Sequence, residues 1–201
     1  MPTQFMERER KALENLMRRE MPVIAGRMAK DHFQDNFRQG GFVNGGLQPW
    51  PKAKRLSSGR TDAAGNYGTL LSSRNHLFKS IKYIPTDYRV KISNDVVYAP
   101  IHNWGGTVAV TVTDRMRRFA WAKYLEASGK PSKSAGKKGR KKAAGKQTLN
   151  QQAQMWRGLA LTKKKKLNIR IPQRQFLGES EELNEKIEKK VAEKIINILN
   201  S

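Results

Sequence analysis

At 201 residues the chain has the length of a single domain, 1–201, with room for one large insertion. Its 40 Lys and Arg against 17 Asp and Glu leave a formal charge of +23, a density that attracts polyanions such as nucleic acid but carries no base-reading information. The absence of cysteine excludes a disulfide scaffold, a thiolate nucleophile and Cys-based zinc sites, and no apolar run approaches the roughly 18 residues of a membrane span.

The amino-terminal stretch MPTQFMERERK lacks the apolar centre of a signal peptide, so a soluble cytosolic protein with no membrane partner is expected. Residues 4–37 repeat apolar side chains at helical spacing, with Leu13, Met17, Met21, Ile24 and Met28 on one stripe that Phe33 and Phe37 prolong. Glu14 and Arg18 stand four apart and support the solvent face. Pro22 has no N–H to give to the helix, which predicts a kink or break near Glu20 and Met21. Gly, Pro, Ser and Lys dominate from 40 to 68 and predict irregular structure, anchored to the body by Trp50 between Pro49 and Pro51.

Two alternating runs follow: Ile81 and Tyr83 oppose Ser80 and Lys82, then Tyr88, Val90 and Ile92 oppose Arg89, Lys91 and Ser93. The Pro85, Thr86 and Asp87 between them predict a hairpin. Tyr98, Ala99 and Ile101 read as a strand end, and Gly105 and Gly106 as a sharp turn into a third strand carrying Val108, Val110 and Val112. Leu167, Ile169 and Ile171 alternate in a fourth. Between the last two strands, DRMRRFAWAKYLEA is helical, presenting Met116, Phe119, Ala120 and Tyr124. Then comes a run of eight cations and no acid: Lys130, Lys133, Lys137, Lys138, Arg140, Lys141, Lys142 and Lys146. Such a run cannot bury a core, so residues 127–165 are expected to form a basic, flexible insertion within the domain. At the end, Ser180 caps a helix whose Glu181 and Glu182 suit its positive terminus, with Leu183, Ile187, Val191, Ile195 and Leu199 as a narrow stripe. The resulting expectation is an α+β fold. It has one antiparallel sheet of about four strands, amino- and carboxy-terminal helices packed on one face, and a long basic insertion in a hairpin.

Chemical constellations are sparse. His32, His76 and His102 fall in three elements with no metal-ligand spacing, so neither a metal nor another cofactor is expected. Asp95 and His102 are the one pair that could suggest hydrolysis, and no GxSxG or phosphate-cradling glycine loop exists. The basic run is the strongest remaining signal, directed at a nucleic-acid backbone or an acidic protein partner. A stand-alone basic nucleic-acid-binding protein is therefore the alternative reading. His102 is read as a structural histidine that tethers the chain at its corner.

Four segments also resemble the phage virion morphogenesis family, the tail-completion proteins of Mu-like phages: GGLQPWPKAKRL, LLSSRNHLFKSI, VVYAPIHNWGG and IRIPQRQFLG. The matching positions are Trp50, then Leu77, Ser80 and Ile81, then Tyr98, Ala99, Ile101, His102, Gly105 and Gly106, and last Ile171, Pro172, Arg174, Phe176, Leu177 and Gly178. Asn75 stands where the family often has Gly. The resemblance spans about residues 30–199 and implies a non-enzymatic structural protein of a phage or prophage. Its role would be tail completion or head-tail joining during virion assembly. It further implies a homo-oligomer, often a hexameric ring, partnered by phage tail and connector proteins. Its location would be the virion, and the host bacterial cytoplasm during assembly. Tyr98, His102, Trp104, Arg174 and Phe176 would then serve the fold or subunit contacts, and the basic run would touch packaged DNA or a partner.

Overall fold

The computed structural model describes residues 2–57, 66–128 and 151–200. The chain divides into two compact units, Met1–Gly106 with Ile171–Ser201, and Thr107–Arg170.

In the first unit the amino-terminal segment forms helix α1 (Pro2–Asn15), a single π turn (Leu16–Glu20) and helix α2 (Met21–Gln39). The π turn sits where Pro22 was expected to disturb the helix, and the disturbance is a widened turn rather than a break. Pro22 cannot donate to the carbonyl four residues back, which belongs to Arg18. That carbonyl instead accepts the Tyr88 N–H at 3.0 Å. The Arg18 side chain meets Asp87 at 2.6 Å rather than Glu14, so the proline-freed turn becomes the seat of another element. This ion pair is exposed and adds orientation more than stability.

The element seated there is the hairpin of β3 (Ile81–Thr86) and β4 (Arg89–Asn94), paired from Ile81 opposite Asn94 to Thr86 opposite Arg89. The turn is Asp87 and Tyr88, with Tyr88 in the left-handed region at φ 61°, so Pro85 and Thr86 belong to the strand. The hairpin lies against α2 at Gly26, where an added Cβ would come within 2.4 Å of the Tyr83 ring and 2.9 Å of Val90. Only glycine permits that approach.

Among the described residues three strand pairs replace the expected four-stranded sheet: β1 (Gly41–Val43) with β2 (Leu47–Pro49), β3 with β4, and β5 (Gly106–Thr111) with β6 (Lys166–Ile171). The mixed helix and strand content fits α+β, but each pair ends at its own edges. Alternation reports one covered face, and α2 covers the β3–β4 face without a further strand. Tyr98 to Ile101 do not form the expected strand end, because α4 (Ala99–Trp104) forms there with Pro100 in its first turn, where a missing N–H costs nothing.

The core of this unit gathers Phe33 and Phe37 of α2 with Phe42, Trp50, Leu77, Ile81, Val96, Phe176 and Leu183. Phe37 is 1% exposed and meets Trp50, Phe78 and Phe176 at ring distances of 5.4, 5.9 and 5.2 Å. Leu77 belongs to the one-turn helix α3 (His76–Lys79). The carboxy-terminal helix α7 (Glu181–Leu199) is capped as expected, the Ser180 hydroxyl accepting the Leu183 N–H. It packs on α1 and α2 rather than on a sheet. Glu182 accepts the Gly46 N–H at 2.7 Å, a bond that holds its carboxyl below the usual range and ties the β1–β2 loop to the helix start.

In the second unit β5 and β6 pair across the long insertion, and the Val112 N–H reaches the Lys165 carbonyl at 2.9 Å. Helix α5 (Asp114–Ala127), expected from its periodicity, packs on α6 (Gln151–Leu161); of the basic insertion expected over 127–165, residues 129–150 lie outside the described residues. Ala120 and Ala153 are fully buried and bring the helices close, while Phe119 and Trp156 meet edge to face at 5.7 Å.

Candidate functional site

The segments that resembled one family meet in space. Helix α4 stops at Gly105, whose φ of 72° ends the turn and whose Cβ position would lie 2.8 Å from the Gln173 nitrogen. The IPQRQFLG segment crosses this helix end. The Arg174 N–H donates to the His102 carbonyl at 2.8 Å. Asn103, 6% exposed, accepts the N–H groups of Phe176 and Leu177 on Oδ1 at 2.8 and 2.9 Å and donates Nδ2 to the Leu177 carbonyl at 3.0 Å. Its carboxamide thus stands in for a strand's backbone unit, with one acceptor and one donor at the right separation.

The Trp50 loop closes the other side. Trp50 donates Nε1–H to the Gln175 carbonyl at 2.7 Å, and Arg174 donates Nε–H to the Pro51 carbonyl at 2.8 Å. The Trp50 ring is 6% exposed, so it anchors the loop as expected and is no platform for a base. In the LLSSRNHLFKSI segment the Leu77 carbonyl accepts Asn94 Nδ2 at 2.8 Å. Asn75 lies at φ 47°, in the left-handed region that glycine favours and asparagine tolerates.

Of the five residues assigned to fold or subunit contact, Arg174 and Phe176 are buried in this clamp. His102 contributes its carbonyl to it; its ring is half-buried, with Nδ1 enclosed and unpartnered. The tether at this corner is therefore the His102 backbone rather than the imidazole. Tyr98 and Trp104 are 44% and 67% exposed and remain open to a neighbour. Asn103, the centre of the clamp, was not singled out in the sequence. The signal available was a carboxamide beside a glycine pair, a residue type able to imitate backbone.

Next to the clamp lies an open cavity of about 290 Å³ lined by Arg55, His76, Tyr98, His102 and Arg174. The Tyr98 hydroxyl is 3.3 Å from His76 Nδ1, and its ring stands perpendicular to His102 at 5.9 Å. Two histidines from different elements are thus brought to one phenol. Burial, and then the neighbouring Arg174 charge, lower the His102 pKa; burial, and then Arg55, lower that of Arg174. Asp95 does not join His102, being paired with Lys82 at 2.8 Å. Among the described residues no group of three His, Asp or Glu side chains could hold a metal.

The eight cations from Lys130 to Lys146 lie outside the described residues. Lys163, Lys164, Lys165 and Lys166 are exposed, the last opening β6.

The chain is thus an α+β scaffold whose motif segments are locked together by side-chain-to-backbone bonds. The model of the phage virion morphogenesis family matches residues 4–196, and the chain belongs to that family. Its setting is accordingly the assembly of the phage virion. The match extends the resemblance back through α1. No curated protein and no solved structure matches the chain. Among the described residues, no helix is long and apolar enough to cross a membrane.

Proposed function

We propose that the protein is a non-enzymatic structural part of the virion, acting in tail completion or head-tail joining as a ring of identical copies, six being the expected number. The observation that carries this reading is where the family motifs spend their polar groups. Asn103, Arg174 and Trp50 join chain segments 73 to 125 residues apart, which builds a rigid body of the kind an assembly requires. The exposed Tyr98 and Trp104 of α4 supply contacts between copies, aromatic residues being favoured at interfaces. Phage tail and connector proteins are the neighbours. The run from Lys130 to Lys146, multiplied by copy number, meets packaged DNA in the lumen or an acidic adjoining ring.

Native mass measured at assembly concentrations, alone and with tail and connector partners, tests the ring. A ring-sized species is expected, and a chain that stays monomeric in every mixture overturns it. The crowding of charge into Thr107–Arg170 favours one second reading, a stand-alone nucleic-acid binder. That reading requires steeply salt-dependent DNA binding by the monomer, lost when residues 130–146 are deleted. A shallow salt dependence removes it.

A further inference from the structure

Arg174 is 9% exposed, and among the described residues its guanidinium makes one hydrogen bond, from Nε to the Pro51 carbonyl. It has no ion pair among the described residues. Enclosing a guanidinium without a counter-charge is costly, and the fork still has two terminal nitrogens suited to a bidentate oxyanion. Those nitrogens are not sealed inside the protein, unlike His102 Nδ1, because Arg174 lines the cavity of about 290 Å³. Arg55, on the same cavity, is committed to the carbonyls of Tyr67, Gly68 and Leu71 and acts as a fixed positive wall. His76 and the Tyr98 hydroxyl add polar groups, Leu71 and Leu77 an apolar side, and no carboxylate of the described residues lines the space.

We propose that this cavity binds a carboxylate presented by an acidic peptide segment, with the Arg174 fork as anchor and His76 and Tyr98 beside it. A carboxylate on a methylene stem fits a concave site with leucines on one side. Duplex DNA carries its phosphates on a convex rod and does not enter such a space. The site adds a partner's chemistry to the assembly reading. Binding of a free carboxylate by the isolated chain involves no ring, however, so the two ideas fail separately.

The test titrates the full chain, with labelled histidine and arginine side chains followed by NMR, using N-acetylglutamate amide, inorganic phosphate and a short DNA duplex in turn. Saturable binding of the acetylglutamate amide is expected in about the millimolar range at low salt, with the His76 and His102 resonances shifting. Arg174→Gln, which keeps an amide donor for Pro51, should weaken it about tenfold. Should that variant fail to fold, His76→Ala decides, since its side chain is exposed; a several-fold loss with an unchanged melting temperature is expected. Absence of saturation, or an affinity unchanged in the folded variants, overturns the proposal. So does phosphate or duplex DNA displacing the acetylglutamate amide from the same resonances.

Discussion

The two units divide the chain's chemistry unequally. Thr107–Arg170 holds 18 Lys and Arg and two acidic residues, a net of +16, whereas the longer unit carries the other 22 cations and 15 acids, a net of +7 out of +23. Burial is distributed the other way. The longer unit encloses large side chains such as Phe37, Phe42, Trp50, Ile81 and Phe176, while the buried described residues of the shorter one are Ala120, Tyr124, Ala153 and Ala160. Alanines remove little apolar area from water, so α5 and α6 gain proximity more than hydrophobic energy from them. Stability and charge are therefore carried by different residues. Substitutions should sort the same way, with those in the motif unit changing stability and those in the cationic unit changing affinity for polyanions.

The largest effect is expected from Phe37→Ala, which opens a cavity among Trp50, Phe78 and Phe176. A loss of about 4 kcal/mol in urea unfolding followed by circular dichroism is predicted, with DNA affinity of the remaining folded protein unchanged. A loss below about 1 kcal/mol would mean that the aromatic centre is not where this unit's stability resides. Asn103→Ala should come next, at about 2–3 kcal/mol, because the N–H groups of Phe176 and Leu177 lose their acceptor away from water. Asn103→Asp keeps the Oδ1 acceptor but buries a charge and sets its other oxygen against the Leu177 carbonyl, so it should destabilise as well; a cost of Asn103→Ala below about 0.5 kcal/mol would show that the acceptor role is wrong.

A smaller effect should follow pH. His32 and His102 both have lowered pKa values, in each case chiefly from burial, with Lys186 and Arg174 respectively adding repulsion. In the unfolded chain each takes up a proton near the ordinary value of about 6.5. The native state then binds fewer protons than the unfolded one. Stability is therefore full above about pH 6.5 and declines as pH falls from there through the lowered native values. The carboxyls of Asp87, Asp95 and Glu182 are also lowered, and their loss belongs to the more acid carboxylate range. Urea midpoints at neutral pH and at about pH 5 test this, with His102→Gln expected to flatten the slope. A midpoint constant across that window would contradict the buried-neutral assignment.

How much of this was legible in the sequence depended on how far each feature reached along the chain. Local features read well: the helices through Phe37, the disturbance before Pro22, the 81–94 hairpin and the Ser180 cap all rest on neighbours within a few residues, whereas the stripe itself slips at the π turn, where Leu16 is buried and Met17 is exposed. Strand alternation was also real. What it could not contain was the number of neighbours per strand, which α2 decided by covering the β3–β4 pair. The Asn103 clamp, the gathering of His76 and His102 around Tyr98, and the capture of the Arg18 carbonyl by Tyr88 join segments with no local mark of each other. The segment resemblance pointed to the right residues without the reason they belong together. Their backbone-to-side-chain bonds supply that reason.

The least effect on stability, and the sharpest test of the division, is expected from replacing Lys163, Lys164, Lys165 and Lys166 together by Gln. All four are exposed, and the bonds that hold this stretch, such as that from the Val112 N–H to the Lys165 carbonyl and the pairing of Lys166 in β6, use the backbone, which the substitution keeps. Stability should therefore change by less than about 0.5 kcal/mol. If the cationic unit meets DNA, each phosphate that these lysines no longer neutralise lowers the slope of log affinity against log salt by about one unit. A fall of up to about four units with an unaltered urea midpoint would show charge separated from fold within one chain. The converse result, a lowered midpoint with an unchanged salt slope, would mean that this lysine run is part of the architecture and that polyanion attraction resides elsewhere. Like charges crowded at four successive positions repel one another, so a small gain in stability at low salt, vanishing as salt screens it, is the expected sign of any residual effect.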